Sequence, residues 1–344
     1  MRRQDGLCSV APDGLFVRSN AIRPFYSPKT EALQFFLELE RLEHVAANGK
    51  ARTVFEGYNL LGYPSASDDG KVAAYVEDLY GGGTALAVAQ GSDPPKRLPG
   101  DEKLRRSEPK LSPDGTLVAS WTRPCPGCPA FVAVQDLSGK ELYRSEPASG
   151  TLGGFVWLGA KRLGVLLREV PGAVPLNAAA PADASPAGSR SQTFSAVDLG
   201  AVPPAVSQLG SVSGDSKLAL PSVNGDGRRV VFSRYADDGM HVALYDADKG
   251  TLEPLAVENV GDPALSPAGD VLAFVHDGDV GVFDIAGKKL LSLTHTGNAF
   301  ELRYPLFARD GKRVYFEIRV KDPVFPKERS VSTIGSVPVP VPIP

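Results

Sequence analysis

The residues best placed for chemistry are Cys125 and Cys128, which bracket the dipeptide Pro126-Gly127. Proline followed by glycine at the centre of four residues suits a type II turn, whose end Cα atoms come within about 7 Å. That separation overlaps the range a disulfide requires. The flanking runs LVASWT (117–122) and FVAVQD (131–136) read as strands, so the cysteines occupy the first and fourth positions of a hairpin turn. A redox pair of the thioredoxin kind would want its first cysteine at a helix N-terminus, where the thiolate is stabilised, and no helix is expected here. A zinc site needs two further ligands. The remaining candidates are Cys8 and four histidines, His44, His241, His276 and His295, none in paired spacing. A hairpin disulfide or two idle thiols is the leading reading, with metal and redox chemistry behind it.

The other reactive groups are weaker still. Asp237-Asp238 and the Asp277, Asp279 pair are acidic enough to suggest calcium, but they lack the order D-x-D-x-D-G and sit where hairpins prefer Asp-Gly. A nucleophile elbow G-x-S-x-G is missing, since GSVSG at 210–214 carries Val212 at its centre. A phosphate loop ending in Lys-Ser or Lys-Thr is missing too. No catalytic, cofactor-binding or metal-binding residue is therefore assigned, and no cofactor is expected. A formal charge of −3 with scattered Lys and Arg leaves no footprint for nucleic acid. No run approaches the roughly 18 apolar residues of a membrane-spanning helix. The opening MRRQDGLCSVAPDG lacks the apolar core of a secretory signal, so the chain as written is read as unexported, or as a trimmed or truncated product.

What must position these groups is a repeat. Turn segments recur as APDG (ending at Gly14), SDDG (Gly70), SPDG (Gly115), NGDG (Gly227), SPAG (Gly269) and ARDG (Gly311), mostly at intervals of roughly 40–55 residues. The one wide gap is filled by VWLGAKRLGVLL around Gly159. In Ser112-Pro113-Asp114-Gly115 the residue types match a type I turn position by position. Each turn launches a run rich in β-branched and aromatic residues, then a hairpin, then a second run ending in aspartate: Asp136, Asp198, Asp246 and Asp284. Four short antiparallel strands per period define a propeller blade. Runs such as Val242-Ala243-Leu244-Tyr245 are apolar at consecutive positions, as in sheets buried on both faces.

The SPDG turn, the strand after it and the Y/F-D-x-x-x-G hairpin resemble the TolB-type propeller repeat, over nearly the whole chain. The resemblance implies an all-β, seven-bladed propeller, with six blades as the alternative. Such repeats serve as periplasmic scaffolds, as gating domains of peptidases and as envelope modules, which points to the bacterial envelope. The α/β domain that precedes the propeller in TolB has no counterpart here, nor does a hydrolase domain.

Residues 1–344 are thus read as a single domain with two departures. Val170–Arg190, a tract of Ala, Pro, Ser and Gly, is expected to be a loop, idle rather than docking. The Pro-rich end at 337–344 is read as a polyproline II tail ahead of an edge strand, so LCSV near the amino end is expected to complete a blade with the last strands. Glu31–Val45, apolar at every second position, is read as a strand of the first blade. The functional expectation is a non-catalytic scaffold holding a protein or peptide through its channel mouth and interblade loops. The alternatives are a propeller hydrolase or lyase acting on a sugar or small ester, and a propeller fragment of a larger envelope protein.

Overall fold

Strands that are apolar at consecutive positions bury side chains on both faces, and the structure shows what covers each face. The computed structural model describes residues 3–11, 14–27, 32–46, 48, 50–57, 60–79, 83–126, 128–145, 154–169, 191–213, 217–236, 239–297, 299–321, 330–340 and 343. Among these, 27 strands form seven antiparallel sheets in chain order, and no helix is present. The first sheet holds β1 (Arg3–Ala11), β2 (Gly14–Ser27), β3 (Ala32–Ala46) and β4 (Ala51–Gly57). The second holds β5 (Leu60–Ala66), β6 (Val72–Asp78), β7 (Thr84–Gln90) and β8 (Lys96–Arg97), and the third β9 (Arg105–Leu111), β10 (Leu117–Arg123), β11 (Phe131–Asp136) and β12 (Glu141–Arg144). The fourth holds β13 (Gly154–Gly159), β14 (Arg162–Glu169), β15 (Ser191–Asp198) and β16 (Ala205–Ser213), and the fifth β17 (Lys217–Val223), β18 (Arg229–Ala236), β19 (Gly239–Asp246) and β20 (Thr251–Glu258). The sixth holds β21 (Val260–Leu265), β22 (Val271–His276), β23 (Asp279–Asp284) and β24 (Lys289–Ser292), and the last β25 (Glu301–Phe307), β26 (Arg313–Lys321) and β27 (Ser330–Pro338).

Alternate residues of a second strand enter different cores. Ala73 and Tyr75 of β6 pack with Leu42 and Val54 of the first sheet, whereas Ala74 and Val76 pack with Leu111 and Val118 of the third. Phe232 of β18 faces the fourth sheet and Val231 the sixth; Phe274 of β22 faces the fifth and Ala273 the last. Each sheet from the second to the sixth is therefore sandwiched between two others, and the architecture is an all-β propeller. Six of its sheets are full four-stranded blades and the last has three strands.

The recurring turns are built as their residue types require. Gly115 N–H bonds Ser112 C=O at 2.8 Å, which closes the turn, and Gly115 takes a φ of +70° that suits glycine. The buried Ser112 hydroxyl donates to Asp114 Oδ1 at 2.6 Å and accepts the Leu117 N–H at 3.0 Å, so the turn and the first residue of β10 are fastened together. Ser67 repeats the arrangement with Asp69 and Val72, and Ser266 does so with Val271 but donates to Asp270, after the turn glycine. Neighbouring turns are also joined: Asp68 N–H bonds Pro113 C=O and Gly225 N–H bonds Pro267 C=O.

Two chain-end expectations meet different outcomes. Glu31–Val45 supplies a strand, β3, which pairs along β2 and β4. The segment Leu7-Cys8-Ser9-Val10 does not complete the last sheet: it lies in β1 and pairs with β2. The turn ending at Gly14 follows at once, and closing a hairpin over two residues is entropically far cheaper than pairing across the whole chain. The Pro-rich end starts inside β27, after which Val339 and Ile343 are buried against the core shared by the last two sheets. The tract 170–190 lies outside the described residues.

Candidate functional site at the ring closure

Six successive junctions between sheets are filled by apolar clusters. The junction between the last sheet and the first is built differently. It contains a cleft of about 300 Å³ lined by Leu15, Val17, Val45, Tyr315, Ile334 and the backbone-rich stretch around Gly335. Val314 and Phe316 of β26 point into the core of the sixth sheet, so Tyr315, Glu317 and Arg319 share the opposite face, towards the first sheet.

That face carries a box of charges. Register pairs Glu301 with Arg319 and Arg303 with Glu317 across β25 and β26, which puts all four side chains on one side of the sheet. Arg303 Nε donates to Glu301 Oε1 at 2.6 Å, and Arg319 Nε donates to Glu317 Oε1 at 2.5 Å. Burial is the largest single influence on Arg319 and works against its charge, yet the hydrogen bond and the charge attraction from Glu317 together outweigh it and raise its pKa; Arg303 behaves alike beside Glu301. Glu317 is only 1% exposed, and its Oε2 has no hydrogen-bond partner. A buried, half-satisfied carboxylate is costly; among the described residues the other buried side-chain atoms without a partner are the neutral Tyr75 and Ser233 hydroxyls.

Two aromatic rings complete the site. Tyr63 on β5 and Tyr304 on β25 lie edge to face with centroids 5.8 Å apart, and Arg309 pairs with Asp68 across the same two sheets. The second and last sheets thus touch directly through their first strands, while β1 of the first sheet packs against β27. Tyr304 owes its position to a bulge. The ladder shifts register between Arg303 and Leu306, Tyr304 adopts a φ of +50°, and its N–H reaches Asp262 Oδ2 at 3.2 Å. Glu108 and Asp262 occupy the same pre-proline bulge in their sheets, also at φ +50°. A bulge of this kind re-aims one side chain per sheet. Chemically, the closure presents two guanidinium groups, each bonded through its Nε to a glutamate and with other nitrogens that can donate, two phenols and an apolar cleft, which suit a polar or anionic group attached to an apolar body.

The residues singled out from sequence lie elsewhere. Cys125 and Cys128 sit in the hairpin between β10 and β11 with Cα atoms 5.2 Å apart and sulfurs at bonding distance, and Cys128 N–H bonds Cys125 C=O at 3.2 Å. Asp279 Oδ1 is engaged by its own loop, through Thr294 Oγ1 and the Thr296 N–H. The aspartates that end third strands cap the following turns, as Asp136 does for the Ser138 and Lys140 N–H groups. His276 hydrogen-bonds Asn259 C=O at 3.2 Å beside Asp277. Among the described residues no three His, Cys, Asp or Glu side chains converge on a metal site. Sequence inspection passed over Tyr63, Arg303, Tyr304, Glu317 and Arg319. The signal that finds them is alignment of the repeats. Six residues after the turn glycine stand Val76, Trp121, Ser233 and Val275, and at the same place in the last sheet stands Glu317.

No known protein-family model matches the chain, and no curated protein does. Solved structures do share its fold. Oligogalacturonate lyase from Vibrio parahaemolyticus is 12% identical, with a TM-score of 0.62 over 98% of this chain and 97% of that one. The β-propeller domain of the trilobed protease from Pyrococcus furiosus, described as having an open velcro topology, is 10% identical with a TM-score of 0.64 over 98% and 96%. TolB from Acinetobacter baumannii is 15% identical with a TM-score of 0.47, covering 98% of this chain and 79% of that one. At these identities the likeness establishes the propeller and nothing finer.

Proposed function

We propose that the protein is a non-catalytic propeller scaffold that holds a protein or peptide partner at the ring closure, with the three-stranded sheet acting as a seventh blade. The observation that carries this reading is the contrast between junctions: apolar clusters fill six, whereas the closure keeps a cleft beside two arginines and a buried carboxylate with one oxygen unpartnered. Buried charge retained against stability is characteristic of binding surfaces. The partner presents an acidic group to Arg303 and Arg319 and an apolar side chain to the cleft. The resemblance of the repeats to those of TolB supports a place in the bacterial envelope.

The same arginines and tyrosines would also suit an acidic sugar, and two oligogalacturonate lyases share the fold, so the enzyme reading is kept as the alternative. One pair of experiments separates them. A photo-crosslinking amino acid at Tyr315 should capture a specific partner from host extract, one at Tyr143 on the third sheet should not, and Arg319→Glu should abolish capture while the fold is retained. Capture from both positions or from neither refutes the scaffold. Turnover of uronate oligosaccharides by the purified protein, lost in Arg319→Glu, establishes the enzyme instead.

A further inference from the structure

Every sheet but the last has a fourth strand on the outer edge of its third. In the last sheet that edge belongs to β27, and among the described residues no strand forms a hydrogen-bonded ladder with it, although β1 packs against β27. Its ladder with β26 runs without a register shift from Arg313↔Pro338 to Lys321↔Ser330, so the nine-residue edge is straight. Thr333 and Ser336 are exposed. Folded proteins defend such edges with charge, proline or a bulge. Five of the six outer strands here carry charge, through Arg52, Arg97, Glu141, Glu253 and Lys289, and the exception, β16, is shifted in register against β15. β27, SVSTIGSVP, has neither charge nor bulge, and its one proline stands at its end.

The strand is also close to a palindrome about Ile334. Antiparallel pairing of β27 with a second β27 sets Val331 opposite Val337, Ser332 opposite Ser336, Thr333 opposite Gly335, and Ile334 opposite itself. Each pair joins residues of the same face, and like side chains meet at most positions. A self-complementary patch of this kind generates a two-fold dimer in which each residue contacts its mate reciprocally.

We infer that β27 is a homodimerisation edge: two copies of this chain pair antiparallel about Ile334, and each supplies the other's missing fourth strand. Because Ile334 and Gly335 also line the closure cleft, the dimer brings the two clefts together at the two-fold axis. The inference does not depend on what the cleft binds.

Sedimentation of the full chain from low to high micromolar concentration tests it. The wild type should shift towards twice the monomer mass. Ser332→Lys with Ser336→Lys sets lysine against lysine across the axis and should leave a monomer. Ser332→Lys with Ser336→Glu sets lysine against glutamate and should restore or tighten the dimer several-fold. Thermal melts check that both variants fold. A wild type that stays monomeric throughout, or two charge variants that behave alike, overturns the inference, whatever the crosslinking experiments show about a partner.

Discussion

Replacing Glu317 by valine, the residue at the same repeat position in the second and sixth sheets, should stabilise the protein and weaken its binding. The carboxylate is 1% exposed with Oε2 unpartnered, and a buried charged acceptor in that state costs about 1–3 kcal/mol or more. Its other oxygen holds Arg319, whose side chain is 26% exposed. Once released, that guanidinium can be hydrated, so the lost pairing is worth no more than about 1 kcal/mol. Removing one member of a buried ion pair is costly when the other charge stays buried, but Arg319 reaches water, so the expected balance is a gain of about 1–2 kcal/mol. For a chain of this length that raises Tm by about 2 °C. Urea unfolding of Glu317→Val and of Glu317→Gln reads the balance, and partner capture from Tyr315 reads the function. Capture should fall because Arg319 loses the group that orients it. If Glu317→Val instead destabilises by more than about 1 kcal/mol, Oε2 is satisfied in the folded protein and the reasoning fails.

Ser112→Ala should cost about 2 kcal/mol in urea unfolding, since it strands the buried Leu117 N–H and removes one of the bonds to Asp114; a change under about 0.3 kcal/mol would show that the turn does not depend on its hydroxyl. Acid should loosen the turns in a defined window. The Lys71 N–H and the Ser67 hydroxyl hold Asp69 at about 2, and the Ser138 hydroxyl leads the bonds that lower Asp136. A carboxylate depressed in the folded state contributes stability that is complete above its unfolded value and disappears as pH falls through the folded one. Tm should therefore drop between about pH 4 and pH 2, and Asp69→Asn should flatten the profile. Cys125→Ser with Cys128→Ser should lower stability by no more than about 2 kcal/mol, because the bridged loop is very short. In the wild type, mass spectrometry after alkylation without reductant should find both thiols blocked; two alkylated cysteines would exclude a hairpin disulfide.

The propeller was legible because its signals are local. Ser112 to Gly115 are neighbours, and the hydroxyl that closes their turn belongs to the residue whose type announced it. The strand runs were equally plain, since burial on both faces writes consecutive apolar residues into β6, β10 and β22. Placement of the chain ends was harder. LCSV offered apolar residues to either the first or the last sheet, and only the immediate turn at Gly14 decides for the first. The closure site was not legible at all by spacing. Tyr63 and Tyr304 belong to repeats at opposite ends of the chain, and their contact exists only once the ring has formed. Cys125 and Cys128 drew attention through proximity in sequence, which in a hairpin is guaranteed by the turn itself.

A ring of repeats has one junction that local sequence cannot specify. Every other pair of sheets is adjacent in the chain and is brought together by a short linker, so its packing needs little beyond matched apolar faces. The closure brings the last sheet against both the first, through β1 and β27, and the second, through Tyr63 and Tyr304, across most of the chain length, and the last sheet contributes only three strands. Buried charges elsewhere, such as Glu77 with Arg97 and Asp246 with Arg229, are paired, whereas Glu317, standing where other sheets carry neutral residues, keeps one carboxylate oxygen unpartnered, so the incomplete satisfaction is concentrated at the closure. Binding can then draw on a surface whose partial satisfaction weakens one junction and not the fold. The consequence is directional: occupation of Arg303 and Arg319 by an anionic partner should stabilise the closure more than any other junction, so hydrogen-exchange protection on binding should rise in β26 while amides of β10 and β18 stay unchanged. A uniform rise across all three strands would mean that the ring responds as one body and that the closure holds no special site.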